Sequence, residues 1–167
     1  MSSRFAPTGS EVLYEGAFIT LRKDTFRHED GEEVVREVVT HPGAVGVVVL
    51  DDEQRLWLVR QPREAVGVPD LLEIPAGKRE LAEEIGKRAE HWESLGSFFT
   101  SPGFTDEEVH LYVATGISDV DERPEVEENE RIHVETRPLA DLDAIVEETK
   151  DAKTLIALFR LKGRLGA

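Results

Sequence analysis

Strand-like patterns of apolar and polar residues dominate the first two-thirds of the chain. They predict strands over residues 12–21, 25–28, 34–40, 44–50, 55–60, 71–74, 92–100, 109–114 and 132–136. The polar residues 28–32, which include Gly31, are typical of a hairpin turn between the second and third of these segments. The stretch 44–50 is continuously apolar, which indicates a strand buried on both faces.

Helical spacing appears in three segments. Residues 79–85 are all fair or good helix formers, and Gly86 follows them as a natural C-terminal stop. A second helix is predicted over 139–148, and Asp151 is placed to cap a third over 152–161. Since the chain shows no internal repeat and no linker, we predict one α/β (α+β) domain built on a mixed sheet.

The composition narrows the classes of function. The 167 residues carry a formal net charge of −15 and are 40% hydrophobic, as expected of an ordinary globular protein. The longest apolar stretch is too short to cross a bilayer, and so acidic a chain lacks the basic face that nucleic-acid binding needs. The absence of cysteine excludes disulfide scaffolds and thiolate zinc sites. We therefore expect a cytoplasmic protein with no membrane or nucleic-acid partner.

Three glutamates share one face of the first predicted helix. Glu80, Glu83 and Glu84 stand at positions i, i+3 and i+4, and like charges at this spacing repel by roughly 0.2–0.5 kcal/mol per pair. A divalent cation such as Mg²⁺ prefers oxygen ligands of this kind and would relieve the repulsion. The alternative interpretation is a solvated acidic stripe, neutralised in part by Arg79 and Lys87. In both cases we expect Glu84 at the protein surface.

The octet Arg-Glu-Leu-Ala-Glu-Glu-Ile-Gly at residues 79–86 follows a predicted strand that ends in Pro75-Ala76-Gly77. Here the sequence resembles the Nudix hydrolases. Their sequence box reads Gly, five residues, Glu, seven residues, then Arg-Glu-aliphatic-any-Glu-Glu-any-Gly and an aliphatic residue. The octet matches the second half of this box and Gly77 matches its first glycine, while Lys87 replaces the final aliphatic residue.

The middle of the box is absent from this chain. The family has fourteen positions from the glycine to the arginine, whereas Arg79 follows Gly77 by two, so twelve positions and the first glutamate of the box are missing. Either the sequence omits a segment of the natural protein or the deletion is genuine. A genuine deletion leaves a helix of about two turns, which needs strong packing to be stable, and it calls catalysis into question.

The resemblance covers most of the chain and points to the ADP-ribose pyrophosphatase branch. Pro102 lies sixteen positions after Gly86, where that branch carries a proline. The other segments typical of the branch are residues 36–45, 59–63, 72–77, 96–107 and 127–132. The resemblance implies the Nudix fold, a mixed β-sheet sandwiched between helices, as a single domain over residues 1–167. Residues 1–42 would form an N-terminal β region that contributes to a homodimer, and residues 43–167 would form the core.

The resemblance implies roles for the acidic residues. The implied ligand set for Mg²⁺ or Mn²⁺ comprises the backbone carbonyl of Ala76 and the side chains of Glu80, Glu83 and Glu84. Glu83 is also implied in catalysis, as a partner that orients the ligands. The general base on the attacking water would be Glu128 or Glu130, in the acidic loop before the last strand, and the sequence does not separate the two.

An anionic substrate also needs positive charge from an acidic protein. The resemblance implies that Arg63 binds a phosphate or the terminal ribose. Arg36 and Glu37 would bind adenine or ribose groups by reaching across a dimer interface. Ser101 and Glu107 resemble the positions that line the ribose-phosphate pocket of the family.

The implied function is hydrolysis of the pyrophosphate bond of ADP-ribose to AMP and ribose 5-phosphate with a divalent metal. Two alternatives stay open. The first is the same reaction on another nucleoside diphosphate sugar or dinucleotide, because pocket specificity depends on few side chains. The second is a non-catalytic module that binds ADP-ribose as a sensor. The three glutamates favour the enzyme, and the shortened box favours the sensor.

Overall fold

The computed structural model of the protein describes residues 4–122 and 131–166, with the side chains of residues 78–80 left aside. These residues form nine β-strands and three α-helices. The chain divides into two compact units. The first unit contains the chain up to Gly43 together with Phe98–Glu108, and the second contains Ala44–Ser97 and the chain from Val109 onward.

The first unit is built on an antiparallel sheet of three strands, β1 (Phe5–Glu15), β2 (Thr20–His28) and β3 (Glu33–Thr40), in that order. The prediction of one strand over residues 12–21 is wrong. Gly16 donates its N–H to the Ile19 carbonyl at 2.9 Å, and this turn lets β1 fold back onto β2. The predicted hairpin turn over residues 28–32 is confirmed, and Gly31 adopts a φ of +90° within it.

The second unit is built on a mixed sheet. Its strands are β4 (Ala44–Leu50), β5 (Arg55–Arg63), β6 (Val68–Glu73), β7 (Lys87–Phe99), β8 (Glu108–Asp119) and β9 (His133–Pro138). The order is β6-β5-β4-β8-β7, and β9 also pairs with β5. Strand β4 runs parallel to β8 and antiparallel to β5, so the predicted mixed sheet is confirmed.

Helices cover both faces of this sheet. They are α1 (Lys78–Ile85), α2 (Leu142–Glu148) and α3 (Ala152–Leu165). Val47 and Val49 of β4 pack in one cluster with Leu81 and Ile85 of α1. The alternate position Val48 points to the opposite face, and α3 contacts β4. The second unit therefore has the predicted arrangement of a mixed sheet between helices.

The C-terminal helices differ from the prediction in their bounds. A single 3₁₀ turn over Leu139–Asp141 precedes α2, so the helix predicted from residue 139 begins three residues later. Asp151 caps α3 as predicted, and its carboxylate accepts a hydrogen bond from the Thr154 N–H at 2.9 Å. No helix in the described part of the chain combines the length and the apolar character that a membrane crossing demands.

Candidate active site

The loop before helix α1 is anchored in the core of the second unit. Ile74 donates its N–H to Thr154 Oγ1 at 2.8 Å, and both residues are almost fully buried. One residue further on, the Pro75 carbonyl accepts the N–H of Val47 at 2.9 Å. Because β6 is tied at this point to α3 and to β4, the loop that follows leaves the sheet at a fixed place.

Helix α1 has eight residues, about two turns, and depends on packing for its stability. Leu81 and Ile85 are 1% and 6% exposed, so the apolar side of the helix is buried. The helix ends at Gly86, which has a φ of +66° and donates its N–H to the Ala82 carbonyl at 3.1 Å. The predicted helix, its stop and its core-facing residues are confirmed.

Glu84 is turned toward the loop and is not a surface residue. Its Oε2 accepts a hydrogen bond from the Ala76 N–H at 3.2 Å, and the residue is 8% exposed. The expectation of a surface position for Glu84 is therefore wrong. The reason is that α1 starts immediately after the loop, with Gly77 as its N-cap, so its second turn lies beside Ala76. Glu83, the preceding residue, is half-buried.

The oxygen atoms at this loop fit a hard divalent cation. The Ala76 N–H and the Glu84 carboxylate, which belong to two of the four predicted ligand residues, are in contact. The other groups offered here, the Ala76 carbonyl and the carboxylate oxygens, are of the kind that Mg²⁺ and Mn²⁺ prefer. The Glu80 side chain lies outside the description. Among the side chains that the structure does describe, no three acidic or histidine residues group as a metal cluster. The complete ligand set therefore stays a prediction.

Arg63, at the end of β5, belongs to a buried ion cluster. Its Nε and Nη2 donate to the two carboxylate oxygens of Glu73 at 2.5 and 2.8 Å. Glu73 is 1% exposed, and Lys153 Nζ lies 3.3 Å from its Oε2. The same ammonium group lies 2.7 Å from Asp151 Oδ1. A buried carboxylate is costly unless it is paired, and here two cations share that task.

The charge of Glu84 also reaches Arg63. The hydrogen bonds that Arg63 donates to Glu73 are the main cause that raises the pKa of Arg63, and the charges of Asp151 and Glu84 raise it further. The Arg63 side chain is 44% exposed in spite of its buried partner. The second unit thus brings the predicted phosphate-binding arginine into electrostatic range of a predicted metal ligand.

Arg60, on the same strand, serves a different purpose. It forms ion pairs with Glu135 at 2.6 Å, with Glu148, and with Asp70 at 3.6 Å. Arg137 binds the same two glutamates at 2.8 and 2.9 Å. Glu135 and Glu148 raise the pKa of Arg60, which in turn lowers the pKa of Glu148. This cluster joins β5, β9 and α2, so it contributes to the fold.

A cavity of about 400 Å³ lies in the first unit beside Arg36. Its wall is largely aromatic and aliphatic, and the side chains include Phe5, Phe26, Val34, Val38 and Phe104. Arg36 lines this cavity, and its Nη1 donates to the Val35 carbonyl at 2.8 Å. Glu37 is the next residue of β3 and is exposed, and successive side chains of a strand point to opposite faces. The fold therefore separates the side chains of this predicted pair.

Ser101 and Glu107 lie close to each other in the first unit, on the two sides of one turn. The Ser101 carbonyl accepts the N–H of Phe104 at 3.0 Å. Glu107 Oε2 accepts a hydrogen bond from Thr100 Oγ1 at 2.8 Å, and its Oε1 lies 3.4 Å from His41 Nδ1. The roles of both residues toward a ligand stay predictions.

One contact of this region, between Lys153 and Glu73, was not predicted from the sequence. Glu128 and Glu130 lie outside the described residues, so the assignment of the general base stays a prediction. Asp151 is recognisable from sequence as a helix cap, but its partner Lys153 contacts Glu73, which lies 80 positions away. No local spacing in the sequence signals a contact of that range.

The second unit is a mixed sheet between helices, with a strand, a short loop and an acidic helix that together define a candidate oxygen-ligand metal site. These features of the fold and the site define the class to which the protein belongs. The NUDIX domain model matches residues 40–159 of this chain, which is more than half of its length. The chain belongs to the NUDIX domain family.

Several known proteins are similar to this chain in sequence or in structure. It is 36% identical over 163 residues to the methanol dehydrogenase activator of Bacillus methanolicus, a match that covers 89% of this chain and 88% of that protein. It is also 36% identical over 162 residues to the ADP-ribose pyrophosphatase of Bacillus subtilis (strain 168), covering 89% and 87%. A solved structure of an ADP compounds hydrolase has a TM-score of 0.84 over 98% of this chain and 95% of that one. At 21% identity, this likeness shows the shared fold.

The alignment with the Bacillus subtilis protein is longer than the part of this chain that it covers. It extends over 162 residues, whereas 89% of this 167-residue chain is about 149 residues, so about 13 aligned positions have no counterpart here. This difference is similar in size to the twelve positions of the Nudix box that are missing between Gly77 and Arg79.

Proposed function

We propose that the protein hydrolyses the pyrophosphate bond of ADP-ribose to AMP and ribose 5-phosphate. The observation that carries this proposal is the hydrogen bond from the Ala76 N–H to Glu84 Oε2 at 3.2 Å, which holds the acidic helix against the loop before it. The charge of Glu84 also contributes to the raised pKa of Arg63. Binding a diphosphate requires oxygen ligands that hold a metal ion, and a positively charged side chain such as Arg63 near them. The similarity to an ADP-ribose pyrophosphatase over 89% of the chain supports the choice of substrate.

In this proposal the Ala76 carbonyl and the carboxylates of Glu80, Glu83 and Glu84 hold Mg²⁺ or Mn²⁺. When bound there, such an ion would supply positive charge that offsets the charge of the diphosphate. Arg63 binds a phosphate oxygen, and Glu128 or Glu130 accepts the proton of the attacking water. The oxygen of that water forms a new bond to one phosphorus, the bridging P–O bond breaks, and two phosphate monoesters leave.

In this proposal the first unit recognises the adenine, ribose and ribose-phosphate groups of the substrate. Arg36 and Glu37 bind adenine or ribose groups, and Ser101 and Glu107 bind the ribose-phosphate part. The aromatic cavity beside Arg36 supports this assignment, since aromatic walls suit a flat base. We also propose a cytoplasmic homodimer. Large apolar side chains exposed on β1 and in the turn after it support the dimer, among them Val12, Tyr14 and Phe18.

Two other functions have specific support. The shortened Nudix box, and the similar difference in length from the Bacillus subtilis relative, favour a module that binds ADP-ribose without hydrolysing it. Hydrolysis of another nucleoside diphosphate sugar or dinucleotide is the other candidate, because a relative that is 32% identical over 92% of this chain is named GDP-mannose pyrophosphatase.

Product analysis separates these candidates. The protein is incubated with ADP-ribose, other sugar nucleotides and dinucleotides, each with Mg²⁺, Mn²⁺ or a chelator, and the products are separated by chromatography. AMP and ribose 5-phosphate formed from ADP-ribose, and lost with the chelator, are the expected result. Calorimetric binding of ADP-ribose without products would favour the sensor. Faster turnover of another compound would change the substrate, and neither binding nor turnover of any compound would reject all three functions.

A further inference from the structure

The carboxylate of Glu73 is the central member of the ion cluster in the second unit. At 1% exposure it has almost no contact with solvent, so its charge has to be balanced by the protein. Arg63 supplies two hydrogen bonds and Lys153 supplies a second positive charge at 3.3 Å. Asp151 completes the cluster through Lys153, so two positive and two negative side chains balance.

The geometry fixes the orientation of the Arg63 guanidinium. The group is planar, and two of its three nitrogens are bound to the two oxygens of one buried carboxylate. This bidentate pair determines both the plane of the group and the direction of the third nitrogen, Nη1. Within the part of the chain that the structure describes, Nη1 forms no hydrogen bond, and the side chain is 44% exposed.

We propose that Glu73 and Lys153 are positioning residues that hold the Arg63 guanidinium so that its Nη1 edge binds a phosphate of the substrate. Glu73 sets the plane of the guanidinium through its two hydrogen bonds. Lys153, in the first turn of α3, contacts the Oε2 atom of Glu73 and is itself paired with Asp151, the residue that caps α3. This inference rests on the proposed function, because that function supplies the phosphate.

Two roles of Arg63, as an oriented hydrogen-bond donor or as a simple positive charge, predict opposite changes in substrate affinity for one substitution of Glu73. Glu73→Gln keeps the shape of the side chain and removes one negative charge beside Arg63. If Arg63 acts only as a charge, the variant binds an anionic substrate more tightly. If the orientation of the guanidinium matters, the variant binds the substrate more weakly, because an amide offers only one oxygen to the two donors.

The test measures kcat and KM for ADP-ribose with Mg²⁺, and the Kd for ADP-ribose by calorimetry with a chelator. For Glu73→Gln and Lys153→Met we expect KM and the metal-free Kd to rise by about tenfold, with kcat within about twofold of the wild type. The matched control is Lys162→Met, which also removes a lysine of α3 that is paired with an aspartate at 2.7 Å. We expect the control to keep the wild-type KM.

Two results would overturn the inference. The first is a KM for Glu73→Gln that is unchanged or lower than that of the wild type. The second is a KM for Lys153→Met that equals that of Lys162→Met. If Glu73→Gln does not fold, as judged by circular dichroism, the comparison of the two lysine variants decides.

A spectroscopic measurement separates a failure of this inference from a failure of the proposed function. The Nε–H of Arg63, identified by NMR from its loss in Arg63→Lys, is expected to exchange slowly in the wild type and at least about tenfold faster in Lys153→Met. A wild type without turnover of ADP-ribose would reject the function, and slow exchange would still support the positioning. Equal exchange in the wild type and in Lys153→Met would reject the positioning, whatever the substrate.

Discussion

The carboxylate of Glu84 accepts a hydrogen bond from the N–H of Ala76 at 3.2 Å, across eight positions of the chain. This contact holds the acidic helix α1 against the loop that leads into it. Because the loop is tied to β4 through Pro75, the position of Glu84 is set by the core of the second unit.

Substitution of Glu84 by glutamine is expected to abolish turnover. The amide keeps the shape of the side chain but loses the charge that a hard divalent cation requires, so we expect kcat for ADP-ribose to fall at least about 100-fold. The measurement is AMP release at saturating Mg²⁺. The matched control is Glu147→Gln, which changes an exposed glutamate of α2 and is expected to keep the wild-type rate. Wild-type turnover in Glu84→Gln would exclude Glu84 as a metal ligand.

Metal binding is expected to stabilise the folded protein. A ligand that binds only the native state adds about 1.4 kcal/mol to the free energy of unfolding when its concentration is ten times Kd. We therefore expect the urea midpoint to rise on addition of Mg²⁺ and to return to its starting value with a chelator. The rise should be absent in Glu84→Gln and present in Glu147→Gln. A midpoint that does not change with Mg²⁺ or Mn²⁺ would contradict metal binding by this chain.

The acidic segment before β9 is expected to supply the general base. Glu128→Gln and Glu130→Gln are prepared separately, and one of them is expected to lower kcat by about 100-fold or more, because general-base catalysis contributes roughly that factor. KM for ADP-ribose should change little in both variants. The other variant serves as the internal control. Small and equal effects on kcat would place the base elsewhere in the chain.

Much of the second unit could be predicted from the sequence because its signals are local. The apolar run over residues 44–50, the glycine after α1 and the Asp151 cap each depend on a few neighbouring residues, and all three are confirmed. The turn at Gly16 was missed because the residues on both sides of it are strand formers. Pairing between β1 and β2 decides that turn, and such pairing leaves no local trace.

The candidate site shows the same division. The row of glutamates on α1 and the loop before it are visible as a motif, so the residue types could be predicted. The burial of Glu84 could not, because it depends on the direction in which α1 leaves the loop. The partners of Arg63 were equally hidden, since Lys153 lies 80 positions from Glu73. Long-range charge pairing is a property of the folded chain.

Asp51 is expected to make the stability of the protein dependent on pH. Its Oδ2 accepts hydrogen bonds from Arg55 Nε and Trp57 Nε1, both at 2.9 Å, and the residue is 9% exposed. Burial alone raises the pKa of Asp51, but the hydrogen bonds from Arg55 and Trp57 outweigh it and hold the pKa below its usual value. The charged form is therefore favoured by folding.

A lowered pKa in the folded state gives stability that is present above the unfolded pKa, about 3.9, and that is lost as the pH falls through the native value. We expect Asp51→Asn to lower the free energy of unfolding by about 1–2 kcal/mol at pH 7 and by progressively less below about pH 4. Urea unfolding at several pH values measures this difference. The control is Asp52→Asn at the exposed neighbouring position, and a difference for Asp51→Asn that stays constant with pH would contradict the prediction.

The hydroxyl of Thr154 is expected to hold the loop before α1 to helix α3. It accepts the N–H of Ile74 at 2.8 Å and donates to Asp151 Oδ2 at 2.7 Å, at a residue with no exposed surface. Thr154→Val keeps the volume but leaves a buried N–H without a partner, so we expect a loss of about 1–3 kcal/mol in urea unfolding. Thr154→Ser keeps the hydroxyl and should lose only about 1 kcal/mol for its missing methyl group. Equal stability of the valine variant and the wild type would show that this hydrogen bond does not anchor the loop.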